Sequence, residues 1–209
     1  MAELCTYFIE SCVSADCENP IYAGMAPVGY LANFDQIASV TYDTTNGNLI
    51  TGFTMGTTTG TNPTSYCWYK VQQLGRQPFE GTQVEMSEST YGNKWTHTVQ
   101  IVISDHGPKI SHDILDRLAN GRFVFIGQND YVHQTDATAG TVQGDNKYEV
   151  MGVKKGLRAT AITREAYGDN DGAWIVTLTE ENGPQSANFF FTTDESTTDA
   201  ALAALACTC

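Results

Sequence analysis

The sequence predicts a mainly β protein, an antiparallel β-sandwich or barrel with one flanking α-helix. Three observations carry this. From Lys94 to Ser104, Trp95, His97, Val99, Ile101 and Ile103 alternate with Thr96, Thr98, Gln100, Val102 and Ser104, the period of a half-buried antiparallel strand. Tyr, Phe and Thr gather in short runs while charged residues make up only 17% of the chain, a balance that favours strands over helices. One segment alone carries a clear helical period.

Residues 1–30 show little periodicity and read as an irregular N-terminal arm. They hold Cys5, Cys12, Cys17, Pro20 and Pro27. The β-rich domain then spans 31–193. It opens with a hairpin, Ile37–Tyr42 and Leu49–Met55, turned at Thr44-Thr45-Asn46-Gly47. Asn-Gly tolerates the positive φ of a tight connection. Residues 56–65, rich in Gly and Thr around Pro63, form a loop. Strands follow at Tyr66–Val71 and Phe79–Glu88, then the long alternating strand.

Pro108 starts the helix, where its missing N–H is harmless. Ile110, Ile114, Leu115 and Leu118 share a face. Asp105 or Ser104 supplies an N-terminal acceptor, and Asn120-Gly121 stops the helix, with Gly suited to a left-handed cap. Arg122–Ile126 resumes as strand. Residues 128–147 form a second long loop. Four more strands, Tyr148–Val153, Leu157–Glu165, Trp174–Glu180 and Ala187–Thr192, lead to a tail over 194–209 that is acidic, then Ala-rich. No internal repeat is visible.

The net charge of −13 is unevenly spread. No Lys or Arg precedes Lys70 or follows Arg164. Residues 1–69 carry Glu3, Glu10, Asp16, Glu18, Asp35 and Asp43, and eight more acids fall between Glu165 and Asp199. A basic footprint for gripping phosphates is therefore not expected. The start of the chain lacks the basic and apolar regions of a signal peptide. No apolar run approaches the roughly 20 residues that span a bilayer. Without a leader, the six cysteines (5, 12, 17, 67, 207 and 209) are expected as free thiols, with a disulfide formed after release from a cell as the alternative, and their spacing matches no zinc ribbon or finger.

Catalytic constellations do not emerge, so no enzyme activity, cofactor or metal is expected. His97 lies in a strand and packs or hydrogen-bonds there. His106 and His112, beside Asp105 and Asp113, bracket the helix start at a spacing that fits no metalloenzyme pattern. His133 falls in the second long loop. Asp169-Asn170-Asp171-Gly172 partly matches a calcium loop with Glu180 at the twelfth position, but its Gly is misplaced and a hairpin turn is favoured. Tyr66, Trp68 and Tyr69 offer faces for a sugar or base, with core packing favoured.

Several stretches together resemble a known family. They are Ile21-Tyr22 with Val28-Gly29-Tyr30-Leu31-Ala32-Asn33-Phe34-Asp35-Gln36-Ile37 and Val40–Asp43; Asn48–Met55; and the strand-helix-strand unit Trp95–Ile103, Leu115–Asn120 and Gly121–Ile126. In these, mostly within residues 21–127, the chain is similar to tail-associated structural proteins, tail-tube-like or ring, of phages infecting gut Bacteroidota, including crAss-like phages. It departs from that pattern in a longer 56–65 loop and an extended acidic C-terminus.

The resemblance implies two antiparallel sheets, a flanking helix and self-association into rings around a channel. It implies a place in the virion tail, assembled in the bacterial host cytoplasm beside other tail or head-tail proteins. DNA would pass through a negative lumen without specific binding, and no membrane would be involved. The alternatives are a capsid decoration or head-fibre protein, or a glycan-binding module using Tyr66–Tyr69.

Overall fold

The computed structural model describes residues 24–57, 66–72, 78–88, 90, 92–105, 107–132, 144–164 and 172–207. They build two sheets. The larger has seven strands: β1 (Met25–Asn33), β2 (Ile37–Tyr42), β3 (Leu49–Met55), β4 (Tyr69–Gln72), β7 (Phe123–Asn129), β8 (Tyr148–Met151) and β11 (Asn188–Phe190). Their order is β2-β3-β11-β8-β7-β1-β4. The smaller holds β5 (Phe79–Ser87), β6 (Lys94–Ile103), β9 (Arg158–Arg164) and β10 (Trp174–Gly183), in the order β5-β6-β10-β9. The protein is thus a mainly β sandwich with flanking helices.

The hydrophobic pattern explains the layering. In β7, Phe123 and Phe125 enter the core between the sheets, while Val124 and Ile126 enter a second core on the opposite face. A strand buried on both faces reads as a continuous apolar run. β6 is covered on one face only: His97, Val99 and Ile101 are buried and the residues between them are not. The inter-sheet core joins Leu31, Phe79, Val99, Phe125, Val176 and Leu178. Helix residues Leu115 and Leu118 close one end of it.

That helical rod is α1 (Pro108–Ile110), a π-helical turn (Ser111–Leu115) and α2 (Asp116–Asn120). Ile110 packs against the core, but Ile114 is exposed. Gly107 is the N-cap residue of the rod, at φ 143°. Gly121 does not turn left-handed; its φ is −90°. A Cβ there would strike the Phe123 ring and Arg117 O, so close approach and not φ demands the glycine.

A second helix, α3 (Glu195–Leu205), replaces the expected tail. Asp194 is its N-cap, accepting from Thr197 N at 2.8 Å. That backbone bond, with those from Ser196 and the Thr197 hydroxyl, holds the Asp194 carboxyl at about 2. Leu202 drops into the second core beside Trp68, Ile50 and Phe190. The Ala-rich composition is therefore a packing face of a third layer. No helix among the described residues is long and apolar enough to cross a membrane.

The 37–55 hairpin forms, but with a different turn. Neither Asn46 nor Gly47 has positive φ. Asp43 instead accepts from Thr45 N and Asn46 N at 2.8 Å each, so an Asx-type turn replaces the Asn-Gly turn. β11 pairs antiparallel with β8 but parallel with β3, so the large sheet is mixed. Strand β1 begins at Met25, inside the segment expected to be irregular, because pairing with both β4 and β7 outweighs the breaker at Pro27. The rest of that arm, 1–23, lies outside the described residues, as does the 58–65 part of the loop.

Cys67 and Cys207 form a disulfide, contrary to the free-thiol expectation. Fold geometry brings them together. Trp68 N donates to Leu205 O at 3.0 Å and Cys207 N donates to Trp68 O at 2.8 Å, so the end of α3 runs alongside the entry to β4.

Candidate functional site

The small sheet turns its uncovered face outward. Val99, Ile101, Val176 and Leu178 point into the core, so Thr96, Thr98 and Gln100 on β6 and Thr177 and Thr179 on β10 point away. Thr98 stands opposite Thr179, and Gln100 opposite Thr177. Thr160 of β9 continues the array, its hydroxyl 3.1 Å from that of Thr179. Over Thr96–Gln100 and Thr177–Thr179 this face presents hydroxyls and an amide, with Ile175 and Val102 beyond them at one end and Lys94 and Glu181 at the other. Among the described residues, both edges of this sheet, β5 and β9, pair on one side only.

An apolar groove of about 1020 Å³ runs between β4, the end of β6 and the helical rod. Leu31, Val71, Ile103, Ile110 and Leu118 line it, with Tyr69 and Ile114 exposed to it. Lys70, Asp105, Asp113 and Arg117 also line it.

A buried ion pair sits at the other side of the inter-sheet core. His97 Nδ1 lies 3.0 Å from Glu180 Oε2, and both residues are 2% exposed. His97 Nε2 faces Ser186 O at 2.9 Å and Gln185 O at 3.1 Å. Carbonyls only accept, so Nε2 carries a proton, and the carboxylate favours a second on Nδ1. Burial opposes the charge on His97, but Glu180 and the two carbonyls outweigh it and the pKa rises. Burial likewise opposes ionisation of Glu180, yet His97 and the Lys155 and Gly152 amides carry its pKa down. Glu149 on β8 also feels the His97 charge, but burial dominates and raises it.

No family, curated protein or solved structure matches the chain.

The residues singled out by sequence are scattered. Trp68 is fully buried, edge-on to Phe53 with ring centres 5.0 Å apart, while Tyr69 is 52% exposed at the groove. The three aromatics therefore make no common stacking platform. His112 bonds Asp113 at 2.9 Å on the surface, which lowers the Asp113 carboxyl. His106, His133 and Asp169–Asp171 lie outside the described residues. Glu180, the twelfth position of the calcium-loop reading, is committed to His97 and Lys155 N. Among the described residues no three His, Cys, Asp or Glu side chains converge as metal ligands.

Sequence reading missed a polar cluster that fixes α3. Lys147 Nζ donates to Glu195 Oε1 and both oxygens of Asp199, each at 2.8 Å. Tyr148 also donates to Asp199, at 2.9 Å. Burial first, then Asp199, raises the Tyr148 phenol. The spacing Glu195-x3-Asp199 marks one face of a helix, and that was the available signal.

Proposed function

We propose that this chain is a self-assembling structural subunit of a phage tail, forming the tube or a ring around a channel through which DNA passes. The observation that carries the reading is the small sheet: a hydroxyl-bearing face whose edge strands, β5 and β9, each have one strand neighbour among the described residues. Uncovered edges are templates for pairing with another chain. The sandwich with its flanking helix also agrees with the architecture implied by the tail-protein resemblance. A channel wall made from the Thr face would offer phosphates no cation along β10 or from Thr96 to Gln100 of β6, so DNA would slide past it. Contacts to other tail or head-tail proteins belong to the same reading.

The test is the mass and shape of the purified full-length chain. Light scattering should report a concentration-dependent oligomer, and negative-stain images should show rings or stacked rings with an open centre. A chain that stays monomeric across the accessible concentration range overturns the proposal. So does a closed dimer without a channel.

A further inference from the structure

The two edges of the small sheet carry opposite charge. On β5, Glu80 and Glu85 are exposed, Glu88 follows directly, and no Lys or Arg falls within the strand. On β9, Arg158 and Arg164 are exposed, Lys154 and Lys155 precede them, and no acid falls within the strand. Local partners do not neutralise these charges. Lys154 lies over the Tyr42 ring, Lys155 reaches Glu181 O, and Arg164 donates to Gly172 O. Glu85 accepts from Gln83. None of these seven groups is in an ion pair with another described residue.

We infer that copies of this chain join head to tail, the acidic β5 edge of one pairing with the basic β9 edge of the next. The inference rests on the self-assembly reading and names its interface. Strand direction supports it. Successive neighbours in the order β5-β6-β10-β9 are antiparallel, so β5 and β9 run in opposite senses. A neighbour related by rotation about an axis along the strands therefore presents its β5 antiparallel to β9, and the sheet continues without a break in pattern. Register supports it too. Glu85 stands opposite Thr96 and Arg158 opposite Thr179, so both side chains project from the Thr-bearing face.

Charge also decides against the alternatives. Two β5 edges repel each other, as do two β9 edges, so a two-fold dimer through either edge is disfavoured. Only the unlike junction remains. Such a contact is heterologous: it closes into a ring if the rotation divides a full turn and otherwise grows as a filament.

Charge exchange tests the junction in the full chain. Arg158→Glu and Glu85→Arg should each raise the concentration for half-assembly by roughly tenfold or more, since each sets like charges together. The double variant should restore assembly. High salt should weaken the wild-type oligomer and leave the single variants little changed. Hydrogen exchange of the wild type should show new protection over 80–87 and 158–164 on assembly, a readout independent of any variant's folding. Wild-type assembly that tolerates both single reversals, or that leaves these amides unprotected, overturns the junction while sparing the self-assembly reading. A monomeric wild type overturns both. Loss of the oligomer in favour of nucleic-acid binding at the β9 cations also overturns it.

Discussion

His97 of β6 and Glu180 of β10 face each other 3.0 Å apart inside the sandwich, and between them they hold two of the four passages of the chain from one sheet to the other. The imidazole donates to Ser186 and Gln185 in the passage from β10 to β11. The carboxylate accepts from Lys155 N in the passage from β8 to β9, at 2.7 Å. The pair therefore registers the two sheets at one end. A buried pair with all its hydrogen bonds made is costly to break from one side, because the remaining charge is left without a partner.

The first prediction concerns pH. The folded pKa of His97 lies above its usual value, so its contribution is complete below pH 6.5 and fades as pH rises through the raised value. The folded pKa of Glu180 lies below its usual value, so its contribution is complete above pH 4.5 and fades as pH falls through the lowered value. Glu149, raised by burial, adds a term of opposite sign that favours folding while it is protonated. Urea denaturation should show stability falling from mildly acidic toward alkaline pH. His97→Gln should flatten that alkaline limb, and Glu180→Gln should cost roughly 3–5 kcal/mol at neutral pH. An unchanged alkaline limb in His97→Gln would remove the pair from the account.

The disulfide gives a redox prediction. Cys67 and Cys207 are 140 residues apart in sequence, so their link closes most of the domain into one loop. Cross-linking over that span stabilises by about 2–4 kcal/mol, mainly by restricting the unfolded chain. A reductant should lower the denaturation midpoint of the wild type. Cys207→Ser should start at the lowered midpoint and ignore the reductant. Peptide mapping under non-reducing conditions should recover the two cysteines linked, and their recovery as free thiols in oxidised protein would contradict the assignment.

The α3 anchor makes a local prediction. Lys147 is largely buried, whereas Glu195 and Asp199 are each about two-fifths exposed, so solvent screens part of the attraction. Lys147→Met should cost about 1–2 kcal/mol. Its signature should be faster hydrogen exchange in 195–205, with β6 and β10 unchanged. Equal acceleration in the small sheet would mean that α3 is not an independent layer.

The periodic segments were legible in sequence for a physical reason. β6 is buried on one face, so its alternation survives in the residue order, and Leu115 and Leu118 declare the buried side of the helix. Segments whose structure depends on distant neighbours were not legible. β1 holds its place by pairing with strands far along the chain on both sides. The parallel β11–β3 contact depends on where β10 hands the chain back to the large sheet, and the Cys67–Cys207 link on where α3 ends. Thr98 and Thr179 looked like ordinary outward residues of separate strands, and only sheet order made them neighbours. Sheet order likewise turned the acids of β5 and the bases of β9 into two ends of one surface. Asp194-Glu195-Ser196-Thr197 was a readable helix start, obscured by the acidic run around it.

Gly152 yields the sharpest stability prediction. It follows β8 in the passage toward β9, with φ 84°, a conformation that side chains rarely adopt. Space is also closed: a Cβ would lie 2.6 Å from Phe123 O and 3.0 Å from Leu157 N. Those two atoms are themselves paired partners, since Leu157 N donates to Phe123 O at 2.7 Å and Phe123 N to Leu157 O at 2.9 Å. An added methyl must therefore either push this bridge apart or rotate the turn, and rotating the turn pulls the neighbouring Lys155 amide away from Glu180. Gly152→Ala should cost about 1–3 kcal/mol from backbone strain alone, with the steric clash adding to it. Gly47→Ala is the control, because φ is not positive there and a Cβ would meet nothing. It should be neutral or slightly stabilising. Thermal denaturation of the two variants side by side should separate them by several degrees, and equal midpoints would show that the β8–β9 passage is not closed around Gly152.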